Sequence, residues 1–268
     1  MPKGEIVGLI PAAGLAHRIS PLPCSKELLP VGLQGAGNKN FSGPKVVSHY
    51  LLEKMFEAKA TKVFIILRKG KWDIPAYFGD GKLIGISLAY LMMDLPFGVP
   101  YTINQAFPFI KDSMVIFGFP DIIFQPRNAF VQLLQKQNEF NADVVLGLFS
   151  THTNHKGDTV TLGQNGILEG IQVNPESVNA GHTWIIAAWT PHFSYFLNEY
   201  IASCHCSGHE NKTDASHFNE LLMGDVFQAA FEKGLSIEVV HFPKGSFLDI
   251  GRPANFAKIL RTDLMTLK

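Results

Sequence analysis

The apolar positions of the chain fall into short unbroken runs separated by polar or helically spaced stretches. The first run, Ile6-Val7-Gly8-Leu9-Ile10, ends at Pro11-Ala12-Ala13-Gly14. A run without alternation predicts a strand covered on both faces, here entering a tight loop. Further runs at 62–67, 86–91, 114–119 and 143–148 predict four more such strands. Between them, 46–58 and 128–140 place apolar residues at helical spacing. Buried strands alternating with helices indicate a largely parallel sheet layered by helices.

Beyond Phe149 the pattern changes. Shorter strands are expected at 158–162, 166–173 and 183–188, then helices at 192–202 and 218–233. A strand at 235–240 and a helix at 253–264 follow, and the polar stretch 203–216 reads as a loop. There is no repeat or heptad array. The economical reading is one domain over 1–268, with a first half at 1–149 and a second half at 150–268.

Composition narrows the function. Of 268 residues, 46% are hydrophobic and 17% charged, with 23 Lys+Arg balancing 23 Asp+Glu. Disorder needs low hydrophobicity and high net charge, so it is excluded. No basic block marks a nucleic-acid surface. No stretch approaches the ~18 consecutive apolar residues of a membrane-spanning helix. The start of the chain runs straight into a strand, so no secretory leader is expected. Cys24, Cys204 and Cys206 form no disulfide framework, and reduced thiols in a cytoplasmic protein are expected. Cys204-His205-Cys206 with His209 crowds its donors too closely to predict a tetrahedral metal site.

Ligands of open parallel sheets bind where strands end and loops begin. The loop after the first strand has small residues at Ala12, Ala13, Gly14 and Ala16, with Leu15 between them, so backbone N–H groups can approach a phosphate. Arg18 and Lys26 add a planar fork and a point charge suited to polyphosphate. Asp121 and Asp249 each follow an apolar strand, which fits either a helix N-cap or a ligand for a hard divalent cation. No G-x-G-x-x-G follows the first strand, which disfavours an NAD dehydrogenase.

The segments Pro11-Ala12-Ala13-Gly14-Leu15-Ala16-His17-Arg18 and Ser25-Lys26-Glu27-Leu28-Leu29-Pro30 resemble the signature of the sugar nucleotidyltransferases. The nearest kinds are glucose-1-phosphate thymidylyltransferases and bacterial uridylyltransferases. The resemblance continues through Tyr77-Phe78-Gly79-Asp80-Gly81, Pro96-Phe97-Gly98, Gly118-Phe119-Pro120-Asp121, Asn179-Ala180-Gly181 and Leu248-Asp249-Ile250-Gly251-Arg252-Pro253. It implies an α/β fold: a three-layer αβα, Rossmann-like nucleotide-diphospho-sugar transferase core around a mixed, mostly parallel sheet.

The resemblance also implies a reaction. A sugar 1-phosphate would attack the α-phosphorus of a nucleoside triphosphate, dTTP or UTP with glucose 1-phosphate as the first choice, releasing pyrophosphate. Arg18 and Lys26 would be catalytic. Ala12, Ala13, Gly14, Leu15, Ala16 and Gly98 would bind nucleotide, and Asn174, Asn179, Ala180 and Gly181 the sugar. Asp121 and Asp249 would hold Mg²⁺. Neither nucleic acid nor membrane is an expected partner, and any homo-oligomer would assemble through the core itself.

The sequence departs from the family pattern at five places, one of them Arg252, which stands where the family has a threonine. Ala16 replaces a loop glycine, and His17 a threonine. Met93 stands at the position of a base-reading glutamine, and Asn174 at that of the lysine that holds the sugar phosphate. These departures keep open a second class, a relative that binds nucleotide or nucleotide-sugar without turnover. A metal-dependent glycosyltransferase on the same core would need neither Arg18 nor the Lys26 segment.

Overall fold

The first apolar run forms strand β1, Ile6–Pro11, with Val7 to Ile10 buried. A computed structural model of the chain describes residues 4–33, 43–94, 98–151, 157–173, 175, 181–206 and 220–265. After β1 come a 3-10 turn at Lys26–Leu28, strands β2 (Pro30–Leu33) and β3 (Pro44–Val46), and helix α1 (Val47–Glu57). Strand β4 (Lys62–Arg68), helix α2 (Asp73–Phe78), strand β5 (Ser87–Met93) and the short helices α3 (Val99–Asn104) and α4 (Phe107–Ile110) follow. Next are β6 (Met114–Gly118), β7 (Ile122–Gln125), α5 (Ala129–Phe140), β8 (Val144–Thr151), β9 (Thr159–Leu162) and β10 (Leu168–Gln172). The chain continues through β11 (Gly181–Trp189), α6 (Pro191–Cys206), α7 (Met223–Glu232), β12 (Ile237–Phe242), β13 (Ser246–Asp249) and α8 (Pro253–Met265).

Nine strands make the main sheet, in the order β5-β4-β1-β6-β11-β9-β10, with β8 also on β11 and β12 beyond it. The pairs β1/β4, β1/β6, β4/β5 and β8/β12 are parallel. Strand β11 is antiparallel to β6, β8 and β9, and β10 to β9. Only β11 and β10 therefore oppose the common direction, which gives the expected mixed, mostly parallel sheet.

Successive residues of the central strands alternate between two apolar layers. Val7, Leu9, Val115 and Phe117 pack under α3, α4, α6 and α7, through residues such as Ile103, Ile110, Phe193 and Phe227. Ile10, Ile65 and Ile116 pack on the other face, against Leu51, Leu52 and Met55 of α1 and Phe130 and Leu133 of α5. This is the three-layer αβα arrangement, and it puts the carboxyl ends of β1, β4 and β6 along one rim.

Periodicity missed one device. Strands β7 and β13 form a separate antiparallel ribbon that pairs Asp249 with Ile122 and Leu248 with Ile123. Residues 121 to 127 apart in sequence meet there, and no local pattern announces such a pairing. Residues 203–206 of the expected loop are helical, because α6 runs on through Cys206. His209 lies outside the described residues. Among those described, no helix is long and apolar enough to cross a membrane.

Candidate active site

Loop 11–18 leaves the end of β1 and turns over the sheet rim. Its first residue past the strand, Ala12, donates its N–H to the Ile66 carbonyl at 2.8 Å and packs into the α1-side core. Ala13 and Gly14 then surface at the floor of a cavity of about 710 Å³, with Leu15, His17 and Arg18 beside them. Ala16 does not line this cavity. It takes a left-handed conformation, φ +56°, and its carbonyl closes the turn by accepting Ile19 N–H at 3.1 Å and Ser20 Oγ–H at 2.9 Å.

Lys26 projects from the 3-10 turn onto the same floor. A Cβ placed on Gly14 would stand 3.7 Å from its Nζ, so the ammonium lies directly over the loop backbone. Nζ donates to Asp121 Oδ2 at 2.6 Å, and both side chains are largely buried. Burial works against the charge, but the carboxylates of Asp121, Glu27 and Asp249 outweigh it. They hold the ammonium above the ordinary lysine range.

The β7/β13 ribbon brings the two aspartates together. Asp121 immediately precedes β7 and Asp249 ends β13, so antiparallel pairing superposes these ends, and Ile250 N–H reaches the Asp121 carbonyl at 3.0 Å. Asp249 Oδ1 accepts Gly251 N–H at 2.9 Å, and Oδ2 accepts Arg252 Nε–H at 2.9 Å. A Cβ on Gly251 would lie 2.9 Å from Asp121 Oδ2, 3.1 Å from Asp249 Oδ1 and 3.4 Å from an Arg18 guanidinium nitrogen. One small space thus touches both carboxylates and the loop arginine, and only the missing side chain of Gly251 keeps it open.

Two carboxylates suit a hard divalent cation that also takes phosphate oxygens. Among the described residues no cluster of three or more His, Cys, Asp or Glu side chains gathers, so these two aspartates alone form an incomplete shell. The donor chemistry therefore fits Mg²⁺ arriving with a polyphosphate rather than a closed structural metal site.

No family model matches the chain. The low-salt glycan biosynthesis nucleotidyltransferase Agl11 of Haloferax volcanii is 21% identical over 249 residues, which cover 92% of this chain. The match takes in 62% of that relative's length, so the chain spans less than two thirds of it. A Bacillus anthracis protein assigned as a glucose-1-phosphate thymidylyltransferase, crystallised with a sucrose, superposes with a TM-score of 0.75 at 18% identity. The superposition covers 95% of this chain and 93% of that one. HddC of Yersinia pseudotuberculosis superposes with a TM-score of 0.65 at 12% identity, over 96% and 98% of the two chains. The chain resembles the sugar nucleotidyltransferases in sequence and has their fold.

Within this sugar nucleotidyltransferase fold, the remaining expected residues divide. Gly98 lines the cavity with Val99 and Thr102. Its φ is +114°, and a Cβ would collide with the Leu221 carbonyl oxygen at 2.1 Å, so glycine is required there by backbone approach. Met93 ends β5 and packs against the core without lining the cavity. Asn174, Asn179 and Ala180 lie outside the described residues. Gly181 opens β11 opposite Thr151 and is not part of the cavity wall.

The wall is instead formed further along β11, by Thr183, Trp184 and Ile185, with Asp158, Glu220 and Met223 facing them. Trp184 Nε1–H donates to Asp158 Oδ2 at 2.9 Å. Sequence reasoning missed these residues. Trp184 sits inside an apolar run that reads as core, and Asp158 reads only as the first residue of a short strand. Arg252 also lines the cavity, which makes three guanidinium or ammonium groups with Arg18 and Lys26.

Proposed function

We propose that the protein transfers a nucleotidyl group from a nucleoside triphosphate to a sugar 1-phosphate. The products are an NDP-sugar and pyrophosphate. The single observation that supports this best is the space beside Gly251, which touches Asp121, Asp249 and Arg18 at once, under a loop that also presents Lys26. A phosphate oxygen of the sugar 1-phosphate attacks the α-phosphorus. The bond from that phosphorus to its bridging oxygen breaks, and the electron pair leaves with pyrophosphate.

Such catalysis is positioning and charge stabilisation, and no nucleophilic side chain is needed. Arg18 offsets the charge that grows on the leaving pyrophosphate. Lys26, kept charged by its carboxylate neighbours, contacts the α-phosphate and draws the two anionic reactants together. Asp121 and Asp249 would hold Mg²⁺, which when bound neutralises phosphate charge. Thr183, Trp184 and Asp158 form the wall against which the sugar lies, and Arg252 reaches its phosphate. The first choice of substrates is dTTP or UTP with glucose 1-phosphate.

The test is pyrophosphate release from purified protein offered several sugar 1-phosphates and the common triphosphates with Mg²⁺. Release that is lost in Arg18→Ala and Asp121→Asn supports the reading. No release from any pair overturns it, and tight nucleotide-sugar binding without turnover would select the non-catalytic alternative. Sugar transfer from an NDP-sugar donor would identify a glycosyltransferase.

A further inference from the structure

Lys26 stands between two tethers whose far ends, Asp73 and Lys71, have no part in the proposed chemistry. On one side, Ser25 donates its backbone N–H to Asp73 Oδ2 at 2.6 Å and its hydroxyl to Asp73 Oδ1 at 2.7 Å. On the other, both carboxylate oxygens of Glu27 accept from Lys71 Nζ at 2.7 Å. Asp73 and Lys71 belong to one short segment, the connection from β4 into α2. The Glu27 carbonyl is also held, by Ser48 Oγ–H at 2.7 Å.

The Glu27–Lys71 pair is almost wholly shielded from solvent, at 1% and 4% side-chain exposure. Neither residue lines the cavity, so neither can touch a substrate there. Burying two charges is costly, and a well-packed apolar pair of similar volume is often as stable or more so. Burial raises the Glu27 carboxyl and lowers the Lys71 ammonium, while the charge of each opposes the shift of the other. What the pair does provide is direction. A three-residue 3-10 turn has little structure of its own, and fastening Ser25 and Glu27 to a common segment leaves the side chain between them one way to point.

The structure assigns Lys71 and Asp73 as positioning residues that aim Lys26 at the cavity through Glu27 and Ser25. This rests on the proposed nucleotidyl transfer only for its catalytic consequence. The tethering is a property of the fold. Because misplacement by about 1 Å can cost about a hundredfold in rate, the tethers govern turnover more than substrate affinity.

The experiment uses the full chain as wild type, Lys71→Met, Asp73→Asn and the apolar replacement Glu27→Met with Lys71→Leu. Three quantities are read: urea stability, hydrogen exchange of the peptide spanning 24–31, and kcat and KM for pyrophosphate release. The expected result is an apolar double variant as stable as wild type whose 24–31 amides exchange at least about tenfold faster. Its kcat falls about ten- to a hundredfold while KM for triphosphate changes little. Asp73→Asn shows the same faster exchange with β1 and β4 amides unchanged. A stable double variant that keeps both wild-type exchange at 24–31 and wild-type kcat overturns the assignment. If wild type releases no pyrophosphate, the functional reading fails separately, and exchange at 24–31 decides the tethering alone.

Discussion

Lys26 Nζ lies 2.6 Å from Asp121 Oδ2, joining the first loop to a carboxylate 95 residues later. The contact is largely buried, so each partner is needed by the other as well as by the proposed reaction. Lys26→Met leaves the Asp121 carboxylate without this cation and is expected to cost about 1–3 kcal/mol in urea unfolding. It should also lower kcat/KM about ten- to a hundredfold through the lost charge-assisted contact. Lys26→Met paired with Asp121→Asn should recover stability but not turnover. Recovery of both would remove Lys26 from the chemistry.

Gly251 separates the two aspartates by having no side chain. In Gly251→Ala the new Cβ would sit 2.9 Å from Asp121 Oδ2 and 3.1 Å from Asp249 Oδ1, too close for either oxygen to stay in place. Binding of Mn²⁺ with nucleoside triphosphate, followed by electron paramagnetic resonance as a Mg²⁺ surrogate, is expected to weaken strongly. The thermal midpoint should barely move, because no core residue is disturbed. Unchanged Mn²⁺ affinity would place the metal elsewhere.

His49 is a buried, neutral histidine. Both of its ring nitrogens are buried without a hydrogen-bond partner among the described residues, and the ring packs edge-on to Phe78 at 5.2 Å and tilted against Tyr77 at 5.7 Å. Burial lowers its pKa below the ordinary 6.5, with the Glu53 carboxylate opposing the shift. The unfolded chain therefore takes up a proton that the folded chain refuses. Its contribution to stability is complete above about pH 6.5 and is lost as the pH falls from there toward the lower folded value. Urea midpoints measured from neutral to mildly acidic pH should drop in wild type, and His49→Phe should flatten that part of the profile.

Ala16 carries a methyl group through a left-handed turn, φ +56°. Such a conformation costs an L-residue about 1–2 kcal/mol, whereas glycine adopts it freely. Glycine in turn loses about 0.4–1 kcal/mol through the greater freedom of the unfolded chain. Ala16→Gly is therefore expected to raise stability by up to about 1.6 kcal/mol in urea unfolding. It should leave turnover intact, since Ala16 does not line the cavity. A loss of activity would mean that this methyl group contacts substrate.

Much of this was legible in the sequence, for identifiable reasons. The unbroken run before Pro11 marked β1, and the rim of a parallel sheet is where small loop residues and cations act, so Ala13, Gly14, Arg18 and Lys26 could be named in advance. Asp121 and Asp249 could be named too, but not why they meet. The β7/β13 ribbon pairs residues on opposite sides of three helices and the second-half strands, and periodicity is blind to pairing at that distance. Trp184 was hidden because a residue that lines a cavity from a buried strand looks like core. Lys71 and Glu27 gave no signal at all, since an ion pair buried across 44 residues appears in sequence as two ordinary charges.

Arg252 provides the last prediction, about the sugar phosphate. It follows Asp249 by three residues, donates to that carboxylate at 2.9 Å and shares the cavity wall with Arg18 and Lys26. The related signature has a threonine here and a lysine where this chain has Asn174, so a cation lost at one position of the sequence is matched by one gained at another. If Arg252 takes over the sugar phosphate, Arg252→Thr should raise KM for sugar 1-phosphate about ten- to a hundredfold, the value of one charge-assisted contact. KM for triphosphate should hold, and the double variant Asn174→Lys with Arg252→Thr should regain part of the loss. If both KM values rise together, Arg252 acts by holding Asp249 in place and not by binding the sugar phosphate.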